Sequence, residues 1–201
     1  MRLLSALFLL AVATSSAQAQ DLQEFACEGP FGPDTSQARL AETFGAQNVT
    51  FAQVAGDEGT YPEATVIFPT VPAKRLSIVW HGEGTDTPNY LYIGEDSAWT
   101  VQGLKVGMSI DDVEELNGSP FMLGGFNDMD RGAVADWQDG KLTLSSGPCR
   151  IDVNFSYGYF GIPLTLNDPL DSEGPYSSQN PAYRQLGAKI GSITIRYPWE
   201  Q

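Results

Sequence analysis

Gly107-Met-Ser-Ile-Asp-Asp-Val-Glu-Glu-Leu-Asn-Gly-Ser-Pro120 carries a helix start and a helix stop within one short stretch. Ser109 offers a side-chain oxygen to the first unpaired amides, and Asp111, Asp112, Glu114 and Glu115 place negative charge toward the positive end of the helix dipole. Ile110, Val113 and Leu116 recur at helical spacing. Gly118 supplies the left-handed residue that ends a helix, and Pro120 forbids continuation. The pattern predicts a helix of about two turns, too short to be stable alone and therefore packed against a sheet. Its acidic residues read as the solvated side of that helix rather than as a metal or acid–base site.

Working outward, Ser36-Gln-Ala-Arg-Leu-Ala-Glu-Thr-Phe-Gly45 matches residues 109–118 at an offset of 73 (109 minus 36). The same offset carries Leu76, Ile78 and Trp80 onto Cys149, Ile151 and Val153, which points to an internal repeat of a helix followed by an antiparallel meander. Strands are expected at residues 48–54, 64–68, 76–80 and 90–93, and again at 134–137, 142–144, 150–157 and 192–197, with turn chemistry between them. Residues 99–102 either extend the first sheet or bridge to the second half. Residues 158–187 read as a long polar loop carrying Pro163, Pro169, Pro175 and Pro181. The expected fold class is α+β, with two tandem helix-plus-antiparallel-sheet repeats, 20–102 and 103–201, forming one compact unit.

Gly107, Met108, Ser109, Val113, Leu116, Gly118 and Pro120 together resemble the glycine–methionine–serine signature of small envelope domains. That group includes the SmpA/OmlA envelope-assembly family and the related β-lactamase-inhibitor-like fold. The inhibitor fold is a tandem of helix-plus-sheet repeats whose sheets grip a partner protein, so the resemblance implies a binding module of the cell envelope. Asn117 stands where an apolar residue is usual. The resemblance assigns no functional residue.

Residues 1–19 have the features of a signal peptide: Arg2, an apolar run over residues 3–12, and Ala17-Gln18-Ala19 as cleavage site. The mature chain then begins near Gln20 and is expected in the periplasm or outside the cell, with no membrane insertion. Without Arg2, ten basic side chains face twenty-five acidic ones, a net charge near −15. Such a surface repels nucleic acid and favours a basic protein as partner, although solubility alone accounts for it too. Hydrophobic residues at 42% and aromatics at 11% argue for a folded core. Cys27 and Cys149 in an exported chain read most simply as one disulfide, two free thiols being the alternative.

No motif for nucleophilic, nucleotide-binding or zinc-dependent chemistry is present, and no cofactor or metal is expected. His81, Glu83 and Asp86 could meet at a metal, but a turn after a strand explains them equally. Asn127, Asp128 and Asp130, and Asp168, Asp171 and Glu173, form acidic loops without EF-hand spacing, for which solvated turns are the commoner outcome. Trp80, Tyr90, Tyr92, Trp99, Trp137 and Tyr157 fall on or beside expected strands and are the candidate partner-binding residues, with burial in the core as the alternative for each. The leading expectation is an exported, non-enzymatic protein-binding module. An inhibitor of a basic exported enzyme, of lysozyme or β-lactamase type, is the second reading, and a hydrolase working through a pair of carboxylates the third.

Overall fold

The structure is a computed structural model describing residues 23–56, 59–126, 132–158 and 174–198. The expected signal peptide and both acidic loops, with Asn127, Asp128, Asp130, Asp168, Asp171 and Glu173, lie outside the described residues. In chain order the first half holds α1 (Gln37–Phe44), β1 (Val49–Gln53), β2 (Glu63–Ile67), β3 (Leu76–Trp80) and β4 (Pro88–Ile93). The second half holds α2 (Ile110–Asn117), β5 (Met122–Leu123), β6 (Val134–Asp136), β7 (Ser145–Ser146), β8 (Cys149–Ser156), β9 (Tyr176–Ser177), α3 (Pro181–Gln185) and β10 (Lys189–Arg196). The fold is α+β, as expected.

Seven strands form one curled antiparallel sheet in the order β1-β2-β3-β4-β10-β8-β7, and β6-β5-β9 form a small second sheet. The first half is a plain meander. It joins the second half through the last strand, with Ile193 opposite Ile93 and Ile195 opposite Leu91 on one side of β10, and Ile193 opposite Val153 and Ile195 opposite Ile151 on the other. Strand alternation sends Leu76, Ile78, Leu91, Ile93, Ile151, Val153, Ile193 and Ile195 to one face, where they are buried with Leu40 of α1 and Ile110 and Val113 of α2.

The caps form as their residues dictate. Ser36 accepts from the Arg39 amide at 3.2 Å. At α2, Ser109 accepts from the Asp112 amide while the Asp112 carboxylate accepts from the Ser109 amide, a reciprocal capping box, and Gly118 ends the helix with φ 77°. The residues leading into α2 are strapped to β10: Gly107 donates to the Ile190 carbonyl at 2.7 Å and Ile190 donates to the Met108 carbonyl at 2.9 Å. Asp111 and Glu114 are not merely solvated. Both ion-pair with Arg184 of α3, at 2.7 and 2.9 Å.

Asn117, the departure from an apolar pattern, is fully buried and has a specific task. Its Nδ2 donates to the carbonyls of Ser119 and Trp137, and its Oδ1 accepts from the Leu142 amide at 3.1 Å. The turn at 137–142 therefore closes onto the end of α2. Gly140 is required there, since a Cβ would stand 2.0 Å from Asn117 Oδ1. The same contacts explain why residues 142–144 are not the expected strand. Leu142 gives its amide to Asn117, Thr143 gives its own to Gln102 Oε1 at 2.9 Å, and bonding to β8 begins only at the Leu144 carbonyl, which accepts from the Ile151 amide at 3.0 Å.

Residues 99–102 bridge rather than extend the sheet: Thr100 pairs with Glu24, and the Gln102 side chain bonds Thr143 and Ser145. Cys27 and Cys149 form the disulfide, with Cα atoms 5.9 Å apart and a sequence separation of 122. It staples the N-terminal segment to the start of β8. The described part of the expected loop 158–187 is ordered into β9 and α3, and Tyr183 of α3 is fully buried with its hydroxyl donating to the Gly124 carbonyl at 2.8 Å. Polar composition concealed this because Arg184 and Ser178 spend their polarity on Asp111, Glu114 and the Phe121 amide.

Two outcomes are expected. Asn117→Leu, which leaves the Leu142 amide without a partner and the Trp137 carbonyl with only the Gly140 amide, should cost roughly 1–3 kcal/mol in urea denaturation with an unchanged slope. The Asp112 carboxyl titrates below its ordinary value of 3.8 because the Ser109 hydroxyl and amide donate to it. Its stabilisation is complete above 3.8 and is lost as pH falls through the lower folded value. The thermal midpoint of Asp112→Asn should therefore lie below that of the wild type at neutral pH, and the gap should close on acidification.

Candidate binding face

Among the described residues no helix covers the opposite face of the large sheet, although Ala64, Val66, Ser77 and Val79 on it are buried, and its chemistry can be read from the strand register. One row runs Ala52, Ala64, Val79, Tyr90, Arg196, Arg150. The next runs Thr50, Val66, Ser77, Tyr92, Thr194, Asp152. Small residues from β1, β2 and β3 thus adjoin two tyrosines on β4, and charged residues on β10 and β8 lie beyond them. The first half supplies the apolar floor, and the strands of the second half supply Arg196, Arg150 and Asp152.

The β1–β2 connection continues the hairpin past the strands, with Val54 donating to the Pro62 carbonyl at 3.0 Å and Gly56 to the Thr60 carbonyl at 2.9 Å. Residues 54–56 stand beside the small-residue floor and make a trough of it. One compartment of about 440 Å³ is lined by Ala52, Val54, Val66, Arg75, Ser77 and Tyr92 among others. A second, of about 190 Å³, is lined by Val54, Ser77, Val79, Tyr90, Tyr92, Thr194 and Arg196. Val54, Ala55, Ser77 and Tyr92 are common to both.

The six aromatic candidates divide sharply. Trp80, Trp99 and Trp137 are core residues, 6%, 4% and 4% exposed. Trp80 shares strand parity with Leu76 and Ile78, and its Nε1 donates to Thr65 Oγ1 at 2.9 Å, which in turn donates to Gln37 of α1. Trp99 donates to the Lys74 carbonyl at 3.0 Å and meets Phe31 edge-on. Trp137 packs on Phe121, ring centroids 5.1 Å apart. Tyr157 lies against Phe126 at 4.7 Å, away from the trough. Only Tyr90 and Tyr92 reach the open face, where Tyr92 is 41% exposed. The residues that sequence reasoning missed are Val66, Ser77, Val79, Thr194, Arg75, Arg150 and Arg196, although most alternate with core residues on their strands.

His81, Glu83 and Asp86 stay in the β3–β4 turn, and among the described residues no three His, Cys, Asp or Glu side chains are grouped to hold a metal ion. The groups whose titration is displaced lie off the open face. Arg39 holds the Asp34 carboxyl below its ordinary value, the Asp112 carboxyl is held low as described, and burial pushes the Tyr197 hydroxyl upward. Three buried polar atoms, Gln23 Oε1, Trp137 Nε1 and the Tyr197 hydroxyl oxygen, have no hydrogen-bond partner among the described residues.

Among the described residues no helix is long and apolar enough to cross a membrane. The disulfide fits an oxidising compartment. Comparison of the chain with protein-family models, with curated proteins and with solved structures found no match.

The division between core and face is measurable. Trp80→Ala should lower stability by about 3–5 kcal/mol, since it removes a buried ring and strands the Thr65 hydroxyl bond. Tyr92→Ala should change it by less than about 1 kcal/mol. Equilibrium denaturation of the two variants side by side checks both.

Proposed function

We propose that the protein is an exported, non-enzymatic module of the periplasm or extracellular space that binds another protein through the open sheet face. The observation that carries this reading is the trough itself: a depression across five strands, floored by small residues, divided by an exposed tyrosine and bordered by Arg75 and Arg196. Aromatic side chains beside arginine are the side chains most often found at the energetic centre of protein interfaces. The signal peptide and the disulfide support export.

The resemblance to envelope-assembly and β-lactamase-inhibitor-like domains is consistent with the same use of the sheet. A tandem repeat is part of this reading. Ser36 and Ser109 cap equivalent helices, and the matched triplets lie on β3 and β8, the strands that flank the central β4–β10 pair. β5, β6, β9 and α3 are then additions to the second copy. Inhibition of a basic enzyme is favoured by the overall charge but opposed by the arginines on the face, so general partner binding is the better-supported reading.

Capture of partners from an envelope extract by immobilised protein tests it. Tyr92→Ala should reduce recovery at least tenfold while leaving the thermal midpoint within about 2 °C of the wild type. Equal recovery by both proteins would remove the open face as the binding surface.

A further inference from the structure

The protein is acidic, and its open face is not. Twenty-five acidic and eleven basic side chains give a net charge of −14. On the open face, strand alternation places Arg150 and Arg196 with one acid, Asp152, and Arg75 continues the Ser77–Val79 parity just before β3. Glu95 stands at the rim of the larger compartment. Elsewhere, the described arginines are matched by carboxylates: Arg39 by Asp34, and Arg184 by both Asp111 and Glu114.

The arginines of the face are under-compensated. Asp152 is shared between Arg150 at 2.8 Å and Arg196 at 2.5 Å, each bonded through Nε, and among the described residues the terminal amino groups of both make no hydrogen bond. Both side chains are largely exposed, 72% and 51%, and the Arg196 guanidinium lies over the Tyr90 ring at 6.0 Å. Arg75 donates to the Pro69 carbonyl, and among the described residues no carboxylate stands within ion-pair distance of it. Arg75 borders the larger compartment and Arg196 the smaller one.

We infer that the trough takes an extended acidic segment of a partner protein, an inference that rests on the open face being the binding surface. Val66, Ser77 and Val79 are themselves nearly buried, 5%, 9% and 6% exposed, so the segment lies above them, against exposed Ala52 and Tyr92. Arg75 at one compartment and Arg196 with Arg150 at the other meet carboxylates at two separate points along that segment. Guanidinium groups suit this role because they bind carboxylates in a planar, two-pronged fashion. The acidic remainder of the surface repels an acidic partner at a distance, but at physiological salt that repulsion decays over roughly 8 Å, whereas contacts inside the trough are shorter. Salt titration alone is uninformative here, because screening weakens the distant repulsion and the local attraction together. Peptides of one shape and different charge separate them.

Isothermal titration calorimetry of the full chain, at about 0.15 M salt, would use three capped decapeptides of alternating Thr or Val with Glu, with Gln, or with Lys. The Glu peptide should bind at least tenfold more tightly than the Gln peptide, and the Lys peptide more weakly still. Arg75→Gln with Arg196→Gln should weaken the Glu peptide at least tenfold without moving the thermal midpoint. Asp152→Asn, which removes the acid from the strands of the face, should tighten it. Equal binding of the Glu and Gln peptides, a preference for the Lys peptide, or binding of none of the three overturns the inference. In partner capture, loss of recovery with Tyr92→Ala but not with the arginine variant refutes the acidic-segment inference alone. Undiminished recovery with both refutes the binding-face reading itself.

Discussion

The pairing of β10 with both β4 and β8 is the constraint on which the rest of the structure depends. Without it the large sheet falls into a four-stranded meander and a short hairpin, and the hairpin is at best marginal in isolation. Ile193 and Ile195 are fully buried because they have neighbours on both sides, drawn from segments about a hundred residues apart and about forty residues apart in the chain. The strap from Gly107 and Met108 onto Ile190 extends the same dependence to α2. The best-defined local signal in the sequence is thus positioned by its last strand. Contacts so distant in sequence make assembly slow relative to a local fold, and the Cys27–Cys149 disulfide, closing a loop of the same order, offsets part of that entropy.

Around α2 the sequence replaces apolar packing with polar fastening. Asn117 serves two carbonyls and one amide from a fully buried position. Arg184 spans Asp111, Glu114 and the Ser178 carbonyl, and Ser178 itself donates to Glu114 and accepts from the Phe121 amide. A leucine at 117 would bury as much area yet leave the 137–142 turn tied to the helix end only through the Lys141 amide on the residue-117 carbonyl. Buried networks of this kind discriminate between arrangements more than they add net stability, because each partly satisfied alternative carries a desolvation cost. That is a physical reason for a short helix to end in asparagine against its own apolar pattern.

What was legible in the sequence was what depends on neighbours in the chain. Ser36, Ser109, Gly118 and the strands of the meander are fixed by caps, turns and alternation, and they stand within a residue or two of expectation. Parity also held the answer for the aromatic residues: Trp80 alternates with Leu76 and Ile78 toward the core, whereas Tyr90 and Tyr92 alternate away from Leu91 and Ile93. What was not legible depends on pairings across the fold. β9 and α3 are ordered by Phe121, Gly124 and α2, far away in sequence, so the polar composition of 158–187 suggested a loop. Arg75, Arg150 and Arg196 are scattered along the chain, and only the strand order makes them one patch.

That scattering couples the face to folding. The floor of the trough comes from β1, β2 and β3, the tyrosines from β4, and the charge from β8 and β10 together with Arg75 just before β3. A first half folded by itself would expose Tyr90 and Tyr92 on an edge strand with no arginine from β8 or β10 beside them. A second half would hold Arg150, Arg196 and Asp152 with no floor. The β4–β10 seam brings Tyr90 opposite Arg196 and Tyr92 opposite Thr194. The same backbone hydrogen bonds that close the sheet therefore create the mixed aromatic and cationic surface, and any change that loosens β10 removes the face together with the fold.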